Sequence, residues 1–188
     1  MRIFIAFLFL TISLQSWSMG DDISDFEIEG MSVGDSLLEY IGSNKINSLF
    51  TSQTSGSKKY KRYYEVKDTN IYDGVDVWVL ENDNKYIIQS LTGFIEYTKN
   101  ITECYSKKKE IIKSLENELK IKSYSYITNY DNNTSKSDVT DFSFKNGKVR
   151  VWCTDYSKKK EDKGYGDFLG VTVSDAKFLY WIDNEAYK

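Results

Sequence analysis

The chain has 188 residues, with 25 basic and 28 acidic side chains, and it contains neither histidine nor proline. Without histidine, a Ser-His-Asp triad, a Cys-His catalytic pair and metal sites built on imidazole ligands are excluded. A net charge of -3 argues against a basic nucleic-acid-binding protein, and an aromatic content of 15% argues against an intrinsically disordered chain.

The beginning of the chain has the organisation of an export signal. Arg2 supplies a positive charge, residues 3–14 are almost wholly apolar, and small residues at positions 16 and 18 suit cleavage after Ser18. The apolar run is shorter than the roughly 20 residues that a membrane-spanning helix needs, so we expect cleavage rather than a retained anchor. We therefore predict a signal peptide over 1–18 and a single periplasmic or secreted domain over 19–188, with no membrane span and a net charge of -4.

The first half of this domain begins with a short strand and a helix, followed by a series of strands. The S-x-x-D pattern from Ser32 to Asp35 predicts a capped helix that carries the apolar residues of 37–41. Alternating segments then predict an antiparallel meander with strands at 60–66, 75–80 and 86–97. Gly93, inside the last of these, predicts a β-bulge.

The clearest helix in the second half covers residues 101–119, where apolar side chains recur with a helical period. The basic run at 107–109 is predicted to lie on its solvated face. A polar loop is predicted at 130–138, and Asn146-Gly147 predicts a tight hairpin between two alternating segments.

The last elements are a strand at 168–173 and a short helix capped by Ser174 and Asp175. Runs of strands with few helices predict an α+β fold, in which two or three helices pack on an antiparallel sheet. A shift of 74 residues also aligns Val75-Asp76-Val77-Trp78 with Val149-Arg150-Val151-Trp152. This alignment favours two α-β-β-β units that share one sheet, although alternating valines are common enough in strands to align by chance.

The two cysteines, Cys104 and Cys153, both lie in the predicted mature domain. In an exported chain such a pair predicts one disulfide, and Cys104 falls on the apolar stripe of the predicted helix. The alternative is two separate buried thiols.

One segment interleaves basic and aromatic residues and is the candidate binding site. On a strand, alternate side chains point to opposite faces, which separates the segment into two sets of three. A cationic, aromatic face of this kind suits an anionic polymer or an acidic partner, whereas the alternative is an edge strand whose lysines discourage aggregation. The six residues are Lys59, Lys61 and Tyr63 on one face and Tyr60, Arg62 and Tyr64 on the other.

No motif for catalysis, for a cofactor or for a metal stands out, so no catalytic residue, cofactor or metal ligand is predicted. The leading hypothesis is a non-catalytic periplasmic binding or interaction module, whose partner is another envelope protein or an anionic polymer and not nucleic acid. One alternative is a small secreted hydrolase that uses carboxylates or a serine without histidine. Another is an inhibitor of an exported enzyme, which a concave sheet face rich in exposed aromatic side chains would favour.

Residues 26–38, with the sequence FEIEGMSVGDSLL, resemble the start of many small exported proteins of AT-rich Gram-negative bacteria. Gly30-Met31-Ser32, leading into a helix and then a meander, is also similar to the small outer-membrane assembly lipoproteins of the SmpA/OmlA type. The doubled form is similar to β-lactamase inhibitor protein. These resemblances imply an exported location and transfer no functional residue, and the chain lacks the lipid-attachment cysteine of the lipoproteins.

Overall fold

A computed structural model describes residues 22–66, 69–98 and 100–188. The predicted signal peptide, 1–18, lies outside the described residues. In the part of the chain that is described, no helix is both long enough and apolar enough to cross a membrane.

The described residues form strands and α-helices of very unequal length, together with two short 3-10 helices at Ile23–Asp25 and Leu37–Glu39. The strands are β1 (Glu27–Ile28), β2 (Met31–Ser32), β3 (Thr51–Ser52), β4 (Tyr60–Tyr63), β5 (Gly74–Leu80), β6 (Ile88–Glu96), β7 (Ser123–Tyr130), β8 (Ser135–Phe144), β9 (Gly147–Asp155) and β10 (Phe168–Asp175). The helices are α1 (Ser43–Ser48), α2 (Ile101–Leu119), α3 (Lys158–Glu161) and α4 (Ala176–Asn184). The fold is α+β, as predicted.

The large sheet has eight antiparallel strands in the order β3-β4-β5-β6-β10-β9-β8-β7, and β1 pairs with β2 in a separate hairpin. This order divides the sheet into two four-stranded meanders, β3 to β6 and β7 to β10, which meet at the central pair of β6 and β10. A helix precedes each meander, α1 the first and α2 the second. The structure thus contains two helix-and-meander units that share one sheet, with four strands in each unit rather than the three predicted.

The strand pairing is approximately symmetric about the centre of the sheet. Asp76 of β5 lies opposite Thr92 of β6, and Arg150 of β9 lies opposite Thr172 of β10. Thr92 and Thr172 lie opposite each other, and their hydroxyl oxygens are 2.7 Å apart. An approximate two-fold axis normal to the sheet therefore passes close to this pair of threonines.

One face of the sheet carries the main hydrophobic core. The helix α2 packs on it against β9 and β10 and buries Cys104, Ile111 and Leu115. Cys104 is joined by a disulfide to Cys153 of β9, with a distance of 6.0 Å between the two Cα atoms. The predicted disulfide is confirmed, and it ties α2 covalently to the sheet.

The first predicted helix is replaced by a 3-10 turn. The backbone N–H of Ser32 does donate to Asp35 Oδ2, at 2.9 Å, so half of the predicted capping box forms. However, the N–H of Gly34 donates to the carbonyl of Ile88 and the N–H of Leu37 donates to that of Tyr86. These tertiary hydrogen bonds hold the segment against the start of β6. The chain makes a turn at 32–35, closed by a hydrogen bond from the N–H of Asp35 to the carbonyl of Ser32, before the short 3-10 turn at Leu37–Glu39.

Two further local predictions need correction. The polar loop predicted at 130–138 is confined to the turn at 131–134, because Ser135 already pairs with Tyr130 in the ladder of β7 and β8. Gly93 pairs regularly within β6, and the register shift lies between Trp78 and Val79. Gly93 instead makes room for an aromatic ring, since a Cβ atom there would lie 2.6 Å from Tyr72 Cδ1.

The basic run on α2 is only partly solvated, which corrects the sequence-based expectation. Lys109 is exposed, but Lys108 has a relative exposure of only 4%. Lys108 follows Cys104 by four residues, on the helix face that contacts the sheet. Its ammonium nitrogen lies 2.7 Å from Asp138 Oδ1 on β8, so the buried charge is paired.

Removing the two partners of this ion pair is expected to have unequal effects. Asp138→Ala leaves the buried ammonium of Lys108 without its partner and should lower the free energy of unfolding by about 2–3 kcal/mol. The loss is smaller than for a fully buried pair because the Asp138 side chain is 38% exposed. Lys108→Met keeps an apolar stem and should change it by less than about 1 kcal/mol. Equilibrium urea unfolding measures both, with Lys109→Met as the exposed control; equal losses for Asp138→Ala and Lys108→Met would contradict the expectation.

Candidate functional site

The sheet face opposite α2, here called the open face, carries a groove of about 330 Å³. Its floor is formed by β6, β10, β9 and β8, and its walls are α4 on one side and β7 on the other. Alternate residues of each strand point to this face, and the others point into the core beneath α2.

The floor of the groove is polar, and its hydroxyls bond to one another across two strands. Ser90 and Ser174 share a hydrogen bond of 2.7 Å between β6 and β10, and so do Thr92 and Thr172. Each of these four hydroxyls therefore has a hydrogen-bond partner within the protein. They form a flat surface of small side chains over which larger neighbours project.

The helix α4 begins at a side-chain cap. Asp175 accepts a hydrogen bond of 2.6 Å from the backbone N–H of Phe178, as the sequence predicted. Ser174, the other predicted cap, instead bonds to Ser90 across the sheet. Because the cap is the last residue of β10, the chain turns sharply there and α4 folds back over the open face.

Aromatic packing fixes α4 in that position. Trp181 and Phe178 are buried against Tyr60 of β4, with ring centroids of Trp181 and Tyr60 4.7 Å apart. Trp78 of β5 packs against the same cluster, 5.5 Å from the Phe178 centroid. Leu179 and Ile182 of α4 are half-buried and line the groove together with Phe178.

The second tryptophan of the open face, Trp152, lies against a glycine. Gly170 is opposite Trp152 in the ladder of β9 and β10, and a Cβ atom at position 170 would lie 2.3 Å from the indole ring. Glycine is therefore required at position 170 for the indole ring of Trp152 to lie directly over the backbone of β10. The contact places Trp152 in the lining of the groove, beside Val139 of β8.

We expect Gly170→Ala to displace the Trp152 ring and to lower the free energy of unfolding by about 1–3 kcal/mol, because the new methyl group overlaps the indole. A shift in tryptophan fluorescence that disappears in a Trp152→Phe background would identify the ring that moves. Gly42→Ala is the control, since a Cβ atom there meets nothing within 4 Å. Indistinguishable spectra of wild type and Gly170→Ala would contradict the contact.

Charged residues converge at the β8 and β9 side of the groove. The buried carboxylate of Asp141 accepts hydrogen bonds from Arg150 Nε at 2.7 Å and from Lys148 Nζ at 3.0 Å. Arg150 also donates to the hydroxyl of Tyr126 on β7, at 2.8 Å. Two cations thus share one carboxylate, and Arg150 is held between neighbouring strands.

The pKa of Asp141 reflects this arrangement. Burial alone raises the pKa of a carboxylate, but the hydrogen bonds and charges of Arg150 and Lys148 outweigh burial and lower the pKa of Asp141 below its ordinary value. The hydrogen bond to Asp141 is the main reason that the pKa of Arg150 is raised. Both partners therefore stay charged at neutral pH.

The low pKa of Asp141 predicts a pH-dependent contribution to stability. An ionised Asp141 stabilises the folded state at pH values above the unfolded-state pKa of about 3.9, and this contribution is lost as the pH falls through the lower folded-state pKa. The difference in unfolding free energy between wild type and Asp141→Asn should therefore shrink between about pH 7 and about pH 3. Urea unfolding at both pH values measures it, and a difference that stays constant would rule this contribution out.

The six residues of the predicted basic and aromatic segment lie on β4 and its flanks, and none of them lines the groove. Tyr60 and Tyr63 are buried. Arg62 forms an ion pair with Asp76, and its guanidinium lies 4.4 Å from the Tyr64 ring centroid. Lys59 is exposed, and Lys61 lies 4.0 Å from Glu81, so the surface that the segment offers is smaller than its sequence indicates.

The groove residues were not singled out from the sequence, although part of the signal is present. Lys148, Arg150 and Trp152 alternate with buried residues along β9, so the predicted strand already places them on one face. Their meeting with Tyr126 and α4 depends on the order of the strands, which the alternation does not contain.

Comparison of the chain with protein-family models, with curated proteins and with solved structures finds no match in any of the three. The resemblances noted in the sequence therefore stay predictions. The described residues include no group of three or more histidine, cysteine, aspartate or glutamate side chains that is placed to hold a metal ion.

Proposed function

We propose that this protein is an exported, non-catalytic binding module that holds an acidic segment of a partner protein in the open-face groove. The observation that carries the proposal is the composition of the groove. The described residues that line it include two cations, Lys148 and Arg150, several aromatic side chains and no carboxylate.

The charge of the groove favours an acidic occupant. Lys148 and Arg150 both form ion pairs with Asp141, so these three side chains carry an excess of one positive charge. Asp183 of α4 also acts electrostatically on Arg150 but forms no direct ion pair with it among the described residues. The predicted mature chain as a whole is acidic, which makes this positive site distinct from its surroundings. Arg150 already binds Asp141 with two parallel hydrogen bonds and also donates to Tyr126, which together use Nε and one terminal nitrogen. Its guanidinium is thereby held in place, and the other terminal nitrogen is the one that would donate to a partner carboxylate.

The aromatic side chains favour a protein segment over a long anionic polymer. Trp78 of β5, Trp152 of β9 and Tyr126 of β7 are half-buried in the lining of the groove, so each offers part of its ring surface to an occupant. Tyrosine, tryptophan and arginine are the residues most enriched at the energetic centres of protein interfaces. A groove of about 330 Å³ accommodates a few side chains of a partner rather than an extended polymer chain.

The same geometry supports binding better than hydrolysis. Ser174 lies opposite Lys148, yet its hydroxyl bonds to Ser90 and the Lys148 ammonium bonds to Asp141. A serine nucleophile needs a base within hydrogen-bond reach, and acid-base catalysis by carboxylates needs two of them in the cleft. The lining of the groove supplies neither arrangement.

The test is a cross-linking capture experiment with the tagged domain 19–188 and extracts of its own cell envelope. Lys148→Gln combined with Arg150→Gln should reduce capture of the partner at least tenfold, corresponding to about 1.4 kcal/mol. Adding Asp141→Asn to this variant ensures that no buried carboxylate is left without its two cationic partners. The matched control, Lys109→Gln with Lys113→Gln, removes the same charge from the exposed side of α2 and should leave capture unchanged.

A third variant separates the groove from the basic and aromatic segment. Charge reversal of Lys59, Lys61 and Arg62 should leave capture intact if the groove is the site. Loss of capture in that variant alone, with a folded domain by circular dichroism, would move the site to β4. Full capture by the folded groove variant would refute the proposal for the groove.

A second candidate function is inhibition of another exported enzyme. The specific observation in its favour is that both units present a tryptophan, Trp78 and Trp152, to one groove on the same sheet face. If the captured partner is an enzyme, titration of its activity with the domain distinguishes inhibition from simple binding. Stoichiometric loss of activity, relieved by the groove variant, is the expected result for an inhibitor.

A further inference from the structure

The outer edge of β7 is the one long edge of the sheet in the part of the chain that is described. β7 pairs with β8 over all of Ser123–Tyr130 without a register shift, and no other described strand lies on its far side. The opposite edge of the sheet is β3, which has only two residues. An eight-residue edge presents a row of backbone N–H and C=O groups that can pair with another strand.

This edge lacks the usual protection against pairing. Proteins blunt their edge strands with lysine, proline, bulges or short length. The sequence of β7, SYSYITNY, contains no charged residue, proline or glycine. It also carries three exposed large apolar side chains, with exposures of 70% for Tyr124, 62% for Ile127 and 43% for Tyr130.

We infer that β7 is a dimerisation edge, on which β7 of a second copy of this chain pairs in antiparallel orientation. Identical edges related by a two-fold axis normal to the sheet necessarily run antiparallel. Lys122 precedes the strand and Asp131 follows it, so antiparallel pairing brings Lys122 of each copy near Asp131 of the other. Asp131 already lies 3.6 Å from Lys160 of its own chain, and Lys122 of the second copy would be its second cation. Parallel pairing would place like charges together.

The apolar pattern also selects a register. Side chains directly opposite in a two-fold pair share a face of the sheet, so one residue can lie opposite itself. With Ile127 opposite Ile127 of the second copy, Tyr124 falls opposite Tyr130 of the second copy, and all three exposed apolar side chains gain a partner. Moving the axis to Tyr126 would set Tyr130 opposite Lys122 and leave Tyr124 opposite Thr128, which loses both tyrosine pairs.

The dimer would also join two grooves. Tyr126 and Tyr130 line the groove from β7, and a two-fold axis normal to the sheet keeps both open faces on one side. The inference does not rest on the proposed binding function, because it depends only on the edge strand. Combined with the proposed binding function, the dimer would let both copies hold a partner that has two acidic segments.

The first test is sedimentation velocity of the domain 19–188 over a concentration series. Wild type should sediment with twice the monomer mass at high concentration, and Ile127→Lys should remain a monomer throughout. Ile71→Lys is the control, because it places the same charge on another exposed isoleucine and should leave the dimer intact. A monomeric wild type, or a dimer unaffected by Ile127→Lys, would overturn the inference. A monomer is also the result expected if β7 instead pairs with an extended segment of another protein.

The second test uses single cysteine variants and fixes the register. Opposite Cα atoms in an antiparallel pair are about 4.5–5.5 Å apart, within disulfide range. Ile127→Cys should therefore form a covalent dimer on mild oxidation. In Ser125→Cys the two new thiols would be separated by about 13 Å along the strand and should not cross-link. Efficient cross-linking of Ser125→Cys without that of Ile127→Cys would overturn the proposed pairing.

Discussion

Removing the Cys104–Cys153 disulfide is expected to lower the free energy of unfolding by about 4 kcal/mol. The bridge spans 49 residues of sequence, and both cysteines are fully buried between α2 and β9. Cross-linking across a loop of this length restricts the unfolded chain strongly, which is the main source of the stabilisation. An effect of this size is a large fraction of the total free energy of unfolding of a typical domain.

The measurement is equilibrium urea unfolding of wild type and of the double variant Cys104→Ala with Cys153→Ala. Reductant should lower the urea concentration at the unfolding midpoint of the wild type. It should leave the midpoint of the double variant unchanged, so the double variant is the internal control. A loss below about 1 kcal/mol would contradict this expectation and would mean that the unfolded chain is already restricted by residual structure when the bridge is absent.

The second large effect is expected for Trp181→Ala, which should cost about 3–5 kcal/mol. Trp181 is fully buried and connects α4 to Tyr60 and Trp78 on the open face. Without the Trp181 ring, α4 loses its largest buried apolar contact with the sheet, so this wall of the groove is held less firmly in place. Partner capture should fall together with stability in this variant.

Trp181→Phe is the matched variant that separates the ring from its polar atom. The indole N–H of Trp181 is buried without a hydrogen-bond partner among the described residues. Phenylalanine keeps most of the apolar volume and removes this unsatisfied donor, so we expect a loss of less than about 1.5 kcal/mol. Urea unfolding of both variants tests the pair, and equal losses would contradict the expectation that the apolar volume of the ring supplies most of the contribution of Trp181.

The elements with strong local signals could be predicted from the sequence. The apolar period of α2 predicted its extent at Ile101–Leu119, and Asn146-Gly147 predicted the hairpin of β8 and β9. Asp175 predicted the cap of α4. These features depend on residues that are close together in the chain, where side-chain period and turn chemistry decide the conformation.

The features that depend on tertiary contacts were not predictable in the same way. Lys108 was expected to be exposed to solvent. Its burial depends on the ion pair with Asp138, which lies on a strand distant in the sequence and could not be inferred from the helix alone. Tyr60 and Tyr63 were expected on a binding surface, and burial against α4 and the main core removes them from it. The strand β7 was not predicted, since its alternation of serine, tyrosine and threonine carries only a weak apolar period.

The position of β10 has a consequence for the order in which the protein can fold. β10 is the last strand in the chain, yet it lies between β6 and β9 at the centre of the sheet. During synthesis, β6 and β9 both leave the ribosome before β10, the strand that pairs with each of them. The bond between Thr92 and Thr172 joins residues 80 positions apart. Nascent chains that stop before Phe168 therefore expose two unpaired strands, and the completed sheet appears only after synthesis has passed its central strand.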